Sequence, residues 1–575
     1  MTAAMTLQPR TPGAWRHRSV LLVLLVLAVI VLGRAFYLQV VDNEFLSQQG
    51  DLRFIRTLTL PGFRGAILDR RGEPLALSAP VDSIWAVPAD VLAAPQYLPA
   101  LAKLLDLTVP ALRKYLQTRD DRRFVYLKRQ MDPDQARRVL ALKAPGVFSQ
   151  REYRRYYPAG AVAAQVVGFA NIDGKGQEGI ELADNTLLRG IDGERRVIRD
   201  RSGRVVEDTS VYQPAQPGRD IHLTLDLRLQ YIAYRELQRA VESHHARSGS
   251  IVVANARNGQ ILALANVPSY NPNNPADRDS EGLRDRAVTD TFEPGSSVKP
   301  LLVAQALTLH KFTAQSLFDT GDGSFQVGSM TIHDDHPYGI VDLRRLLVKS
   351  SNIGAAEVGL ALGPQAVRSG YRKFGLGERT GIGLPGEGDP TLRPWNTWGD
   401  IATATASYGY GVAFNALQML RAYCALANNG LMPQLSIVES RRQPPPQRVI
   451  PASVAQTVRG MLEGVVSKDG TAAGAAVPGY RVAGKTGTSR MTGNGAYAKG
   501  QYHAIFVGML PADHPRLIGL VVINDPKGYD YYGGSVSGPV FSNVMQAAAR
   551  LLQIAPDRPA PGLLQAVDAP VGGRS

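Results

Sequence analysis

The sequence predicts an α/β domain, helices inserted between the strands of one sheet, carried behind a β-rich segment and one apolar membrane-spanning helix. Three observations predict this. An apolar run near the N-terminus is long enough to cross a bilayer. Residues 250–254 and 261–265 alternate around Asn258-Gly259, a strong hairpin signal, and the apolar run Leu301-Leu302-Val303-Ala304 follows them. Two more strand-like runs, 504–510 and 517–523, come late in the chain, so the helical stretch falls between strands.

Val20 opens and Val41 closes the apolar run, 22 residues or about 33 Å as a helix. Gly33, Arg34 and Gln39 interrupt it. Arg34 lies toward its C-terminal end, where a long side chain snorkels to the interface. Arg10, Arg16 and Arg18 precede the run, and Asp42 and Glu44 follow it, which puts residues 1–19 in the cytoplasm and the rest outside. A cleaved signal peptide would need a small-x-small site, which Ala35-Phe36-Tyr37-Leu38 does not offer, so an uncleaved anchor is expected.

Residues 45–220 carry short β-like pieces and many charges. Pro214-Ala215-Gln216-Pro217-Gly218 reads as a hinge, and a helical pattern opens at Thr224. A second exported domain is therefore expected over 226–553, with a loose tail over 554–575. The chain of 575 residues has a net charge of +14, but its basic residues are scattered, which argues against nucleic acid. Its one cysteine, Cys424, excludes an intrachain disulfide and sits in an apolar helix-like run, where packing is its expected role.

Three short strings carry the chemistry. Ser296-Ser297-Val298-Lys299 follows Pro294-Gly295 and precedes an apolar helix, so Ser296 should stand at a helix start with Lys299 one turn on. A hydroxyl is a weak nucleophile until a base takes its proton. A lysine is that base only when burial and a nearby cation, here Lys485, lower its pKa. Ser350-Ser351-Asn352 follows the apolar stretch 343–348; in an extended loop Ser350 and Asn352 would face one way, a hydroxyl to relay a proton and an amide to hold an acyl chain. Lys485-Thr486-Gly487-Thr488 reads as a strand, Thr486 and Thr488 on one face beside an ammonium, a receptor for a carboxylate. Gly487 would let a ligand approach the backbone. Each string alone reads equally as an N-cap serine, a polar turn or an edge strand; their order and intervals, 54 and 135 residues, set the combination apart. His333-Asp334-Asp335-His336 is the one metal-like string; four successive polar residues rarely converge on one ion, so a solvated loop and no metal are expected.

Together the strings resemble the active site of penicillin-binding proteins and serine β-lactamases. Upstream, Arg64-Gly65-Ala66-Ile67-Leu68-Asp69-Arg70-Arg71-Gly72-Glu73-Pro74-Leu75-Ala76 resembles the RGxxxDRxGxxLA signature of class B penicillin-binding proteins. Arg154-Arg155-Tyr156-Tyr157-Pro158 and Gly176-Gln177-Glu178-Gly179-Ile180-Glu181 are similar to further motifs of their non-catalytic domain, with Gln165 where the family often has His. Phe292-Glu293-Pro294-Gly295-Ser296, Ser407-Tyr408-Gly409-Tyr410-Gly411 and Tyr531-Tyr532-Gly533-Gly534 resemble the division-specific (FtsI-type) members.

The resemblance implies an α/β (α+β) transpeptidase domain of the penicillin-binding-protein type, an elongated, mainly-β pedestal, and one transmembrane helix. It implies a serine D,D-transpeptidase of the inner membrane that cross-links peptidoglycan stem peptides at the septum and is acylated by β-lactams. An elongation-type transpeptidase and a carboxypeptidase or β-lactam-hydrolysing relative are the alternatives. Ser296, Lys299, Ser350, Asn352 and Lys485 would be catalytic. Backbone N–H groups of Ser296 and Thr488 would form the oxyanion hole. Thr486, Gly487, Thr488, Arg490, Tyr410, Tyr531 and Tyr532 would bind substrate. No cofactor is implied; the polymerase FtsW and other divisome proteins are the implied partners.

Overall fold

A computed structural model describes residues 14–41, 55–60, 62–199, 205–278, 280–439, 443–493, 496–528 and 530–558. Helix α1 runs over Ala14–Phe36 and ends in a π-helical turn, Tyr37–Val41. Among the described residues one helix, over Trp15–Val40, is long and apolar enough to cross a membrane, with a mean hydropathy of 2.7. The Arg34 guanidinium lies 5.4 Å from the centroid of the Tyr37 ring, an amphipathic pairing suited to a membrane interface. Arg10, Asp42 and Glu44 lie outside the described residues.

The chain packs as two units, 1–62 with 191–216, and 63–190 with 217–575. In the first, Ile55–Leu60 pairs antiparallel with Gly193–Arg199, which pairs antiparallel with Val205–Gln213.

In the second unit, residues 63–190 hold strands β1 (Ile67–Leu68), β2 (Pro74–Ala86), β3 (Val125–Met131) and β4 (Val147–Tyr156). β2 is the spine and pairs antiparallel with the other three. β1 also pairs in parallel with β5 (Ile221–His222). This region holds more helix than its sequence implied. Leu98–Leu104, Val109–Gln117 and Pro133–Ala141 bury Leu101, Leu112, Leu116 and Val139 in a core of their own with Ile84 of β2. The short span of each helix hides its period among turn residues.

The signature motif explains itself here. Arg64 and Arg155 close on opposite oxygens of Glu181, which is fully buried. Asp69 accepts the N–H groups of Arg71 and Glu73 on one oxygen and that of Leu227 on the other. That last bond caps helix α2 (Leu227–Ser243), the first helix of the catalytic domain. Gln165 spans the same two regions, donating to the carbonyls of Pro268 and Gly282.

The catalytic region is built on a five-stranded antiparallel sheet, in the order β7 (Ile261–Val267), β6 (Ser248–Asn255), β10 (Leu517–Asn524), β9 (Ala496–Leu510), β8 (Ala483–Gly493). The hairpin expected around Asn258-Gly259 is β6–β7. Every residue of β6 from Ser248 to Ala254, and all of β7 and β10, is buried, as in a sheet covered on both faces. Helix α2 packs on β6 and β7; a C-terminal helix, Gly533–Leu551, packs on β9 and β10 and against α2. A central helix, α3 (Lys299–Thr308), is buried from Lys299 to Leu307 and so is apolar all round apart from Lys299 and Gln305. Cys424 lies fully buried in the helix Ala416–Ala427, where burial pushes its thiol up to about 12. The tail starts later than expected: Ile554 is buried, the Tyr480 hydroxyl donates to its carbonyl, and Asp557 accepts from the Arg481 backbone.

Candidate active site

Ser296 lies in a 3₁₀ turn, Gly295–Val298, that runs directly into α3 at Lys299. The expected helix start is therefore present, one turn tighter than an α-helix. The turn rests against β8. A Cβ at Gly487 would lie 2.6 Å from the Pro294 carbonyl oxygen and 3.3 Å from the Ser297 Cβ. The room that glycine leaves on its Cβ side is taken by the Gly295–Val298 turn and by Ile505. On the other side Gly409, at φ +88°, comes so close that its Cβ would lie 2.1 Å from the Gly295 carbonyl oxygen. Only glycine meets both demands there.

The second string has a different geometry from the extended loop expected. Helix α4 (Leu343–Lys349) stops at Ser350, which takes a left-handed φ of 61°. Ser351 then caps helix α5 (Asn352–Leu362), its hydroxyl accepting the Gly354 N–H. Ser350 and Asn352 still converge, because a helix end and a helix start meet at one corner.

That corner holds both lysines. Lys299 Nζ donates to the Ser350 carbonyl at 2.6 Å and to Asn352 Oδ1 at 2.8 Å, and lies 3.4 Å from Ser350 Oγ. Lys485 Nζ donates to Ser350 Oγ at 2.9 Å and to Thr486 Oγ1 at 3.2 Å. Both lysines are fully buried. Burial brings Lys299 down to about 7, against a smaller upward pull from Asp334 and Asp335. Lys485 is also held well below the usual lysine range, by burial first and the charge of Lys299 second. The sequence named burial and the nearby Lys485 as what lowers Lys299; burial is the larger cause for both lysines. Ser296 Oγ, half-buried, has no hydrogen-bond partner among the described residues.

Four of the residues implied to bind substrate, Thr486, Gly487, Thr488 and Arg490, lie along β8. Thr486 and Thr488 alternate with Lys485 and Gly487; the Thr486 hydroxyl meets that of Thr471 at 3.0 Å, and Thr488 Oγ1 accepts the Gly533 N–H. Arg490 pairs across to Tyr502, which stacks on Tyr531 at 4.1 Å, and Tyr531 on Tyr532 at 4.7 Å. Tyr410 packs edge-on to Tyr497, and Arg490 acts on its hydroxyl. Arg490, Tyr410, Tyr531 and Tyr532, four of the seven implied binding residues, thus gather around the β8–β9 hairpin.

Three residues of this neighbourhood escaped the sequence reading. Asp334 accepts from Ser351 Oγ and from the N–H groups of Asn352 and Ile353, so it holds the start of α5 in place. Its place in a His-Asp-Asp-His string drew attention only to metal. Thr471 sits in a polar turn with no motif. Glu293 accepts from the Gly411 N–H and the Tyr497 hydroxyl while Ser489 donates to its carbonyl; its place three residues before Ser296 was the available signal.

A model of the penicillin-binding protein transpeptidase domain matches residues 249–546, and one of the penicillin-binding protein dimerisation domain matches 59–223. The chain belongs to the class B penicillin-binding proteins. It is 42% identical to the probable peptidoglycan D,D-transpeptidase PenA of Neisseria gonorrhoeae, over 95% of this chain and 94% of that one. It is 39% identical to the peptidoglycan D,D-transpeptidase FtsI of Escherichia coli, over 95% and 93%. Penicillin-binding protein 3 of Mycobacterium tuberculosis, solved with aztreonam, is 28% identical, with a TM-score of 0.68 over 88% of this chain and 99% of that one. The class B penicillin-binding protein thus has its three strings within a transpeptidase domain and its Arg64–Glu181–Arg155 cluster within the dimerisation domain.

Proposed function

We propose that this class B penicillin-binding protein cross-links peptidoglycan at the division septum through an acyl-enzyme on Ser296. The observation that carries the reading is the meeting of two fully buried lysines at one hydroxyl, Ser350 Oγ, beside the turn that holds Ser296. Among the described residues neither amine has a carboxylate as a hydrogen-bond partner, so Lys299 can be neutral at working pH and act as a base.

Lys299 takes the Ser296 proton as Oγ attacks the carbonyl of the penultimate D-Ala. Backbone N–H groups of Ser296 and Thr488 hold the oxyanion. The terminal carboxylate lies against Thr486 and Thr488, where its charge would draw Lys485 back toward the ammonium form. The C–N bond breaks, a proton passes through Ser350 to the departing amine, and D-Ala leaves. The amine of a second stem peptide then attacks the ester, its proton returns through the same groups, and Ser296 is released. Arg490, Tyr410, Tyr531 and Tyr532 wall the acyl pocket. A β-lactam acylates the same serine.

The identity to FtsI supports the septal role. The α1 helix anchors the chain in the inner membrane, with its N-terminus cytoplasmic and the catalytic domain (226–553) periplasmic, on a pedestal over 45–220. Arg34 and Gln39 are costly in lipid and are satisfied by a partner helix, that of the polymerase FtsW. Replacing α1 with an unrelated span tests this: co-purification with the polymerase should fall, and unchanged co-purification leaves a passive tether. The chemistry is tested by incubating the protein with a donor stem peptide and an acceptor amine. Cross-linked dimer is the expected main product; free tetrapeptide alone would make the protein a carboxypeptidase.

A further inference from the structure

Arg70, of the signature motif, and Arg516, between β9 and β10, face one recess of about 190 Å³. Asn255, Leu262, Leu517 and Ile554 complete most of its wall. Among the described residues no acidic side chain lines it. Some other arginines of the second unit face carboxylates, as Arg129 does Glu152 and Asp173, Arg228 does Asp226, and Arg481 does Asp513 and Asp557. The side chains of Arg70 and Arg516 have no hydrogen-bond or ion-pair partner among the described residues. Asn255 Oδ1 accepts the Arg257 N–H, which orients the carboxamide and leaves its NH₂ as a donor. The polar side chains of the recess are thus two guanidiniums and an amide donor.

Both arginines are held by their main chains. Arg70 N donates to the Leu225 carbonyl, at the lead into α2, and Arg516 takes the Ala256 N–H on its carbonyl while its own N–H goes to Leu510. The main chain that carries each exposed guanidinium is therefore anchored at the rim of the recess. Two like charges at the mouth of a small recess repel, and the fork of donors on each matches the oxygens of a phosphate. We propose that this recess binds a phosphate-type dianion, clasped between Arg70 on one side and Arg516 on the other. The ligand would tie the signature motif to the β9–β10 turn, away from Ser296. The phosphate could belong to a free anion or to a lipid headgroup, the buried Leu262, Leu517 and Ile554 offering an acyl chain a short apolar floor.

The test uses the full chain in detergent with Ser296→Ala, so that the outcome is independent of the acyl-enzyme reading. Thermal shift and calorimetry are run with inorganic pyrophosphate and with a monomeric short-chain phosphatidic acid, at physiological ionic strength. Saturable stabilisation is expected from at least one, weakened about tenfold by Arg516→Gln, the equivalent of one lost charge-assisted pair, and unchanged by Arg344→Gln, on the distant α4. Tighter binding of the lipid assigns the site to a headgroup; tighter binding of pyrophosphate assigns it to a free anion. Binding that Arg516→Gln leaves intact, or stabilisation that never saturates, overturns the site. Arg516 has no side-chain partner to lose, so its variant decides the question even where Arg70→Gln folds poorly.

Discussion

Two sets of buried cations sit in this chain and do opposite things. In the dimerisation domain, Arg64 and Arg155 flank Glu181, their side chains 6% and 7% exposed and the carboxylate fully buried. Each guanidinium has a full negative charge to face, and arginine does not deprotonate. In the catalytic domain Lys299 and Lys485 are just as buried, but their partners are a carbonyl, an amide oxygen and hydroxyls. Dipoles alone do not replace the lost hydration of an ammonium, so burial drives both amines toward the neutral form. Two arginines facing a carboxylate stay charged; two lysines facing only dipoles are pushed toward losing a proton.

The largest effect that separates the two sets is loss of the nucleophile. Ser296→Ala should abolish covalent labelling by a fluorescent penicillin with no change in melting temperature, and any label that persists and maps to this site removes Ser296 from its role. Lys299→Ala should slow acylation by ~10²–10⁴-fold, the usual worth of a general base. Stopped-flow rates within a few-fold of the parent would show that another group takes the proton.

Glu181→Ala should do the reverse. It leaves two guanidiniums buried without a counter-charge, at a cost of about 3–5 kcal/mol in unfolding free energy. Acylation of the protein that remains folded should keep the parent rate. If the rate fell in proportion to stability instead, the two cation sets would not be separable.

The pH profile sharpens the contrast. Lys299, with its value near 7, must be neutral to act, so acylation should rise about tenfold per unit below pH ~7 and level above it. Stability follows the same group. An unfolded lysine keeps its proton to about 10.4, while the folded one releases it near 7. The unfolded chain therefore binds more protons between these values, and stability should rise with pH across that window. Lys299→Ala should remove this contribution; Glu181→Ala should leave it in place.

Sequence carried the chemistry further than the geometry. The three strings were legible because acyl transfer needs fixed residue types at helix and strand starts. Strands β6, β7 and β10 and the second half of β9 were legible because a sheet buried on both faces reads as apolar runs, whereas β8 was legible only through its Lys-Thr-Gly-Thr string. The corner at Ser350 was not legible, since a left-handed serine has no sequence mark that separates it from a polar turn. Nor was the job of Gly487, because the Pro294 carbonyl that fills its space lies 193 residues earlier. Asp334 and Thr471 contribute through contacts 17 to 19 and 15 residues away, with no spacing rule to flag them.

Asp334 provides the smallest and most discriminating test, since it links the two kinds of site. It is a carboxylate near a buried lysine, yet it spends its oxygens on Ser351, Asn352 and Ile353 at the start of α5, where helix polarity favours negative charge. Its charge raises Lys299 without pairing to it. Asp334→Asn should therefore act twice, in opposite directions. Without the charge, Lys299 falls further, so the acid limb of the acylation profile moves to lower pH. With an amide in place of one acceptor oxygen, the Asn352 end of α5 loosens, and the plateau rate falls about fivefold, the kinetic equivalent of ~1 kcal/mol for a lost helix cap. Acylation of a chromogenic β-lactam between about pH 5 and 9 reads both at once. A lower plateau with an unmoved or raised midpoint would mean that Asp334 serves only the helix, and that burial alone sets the base.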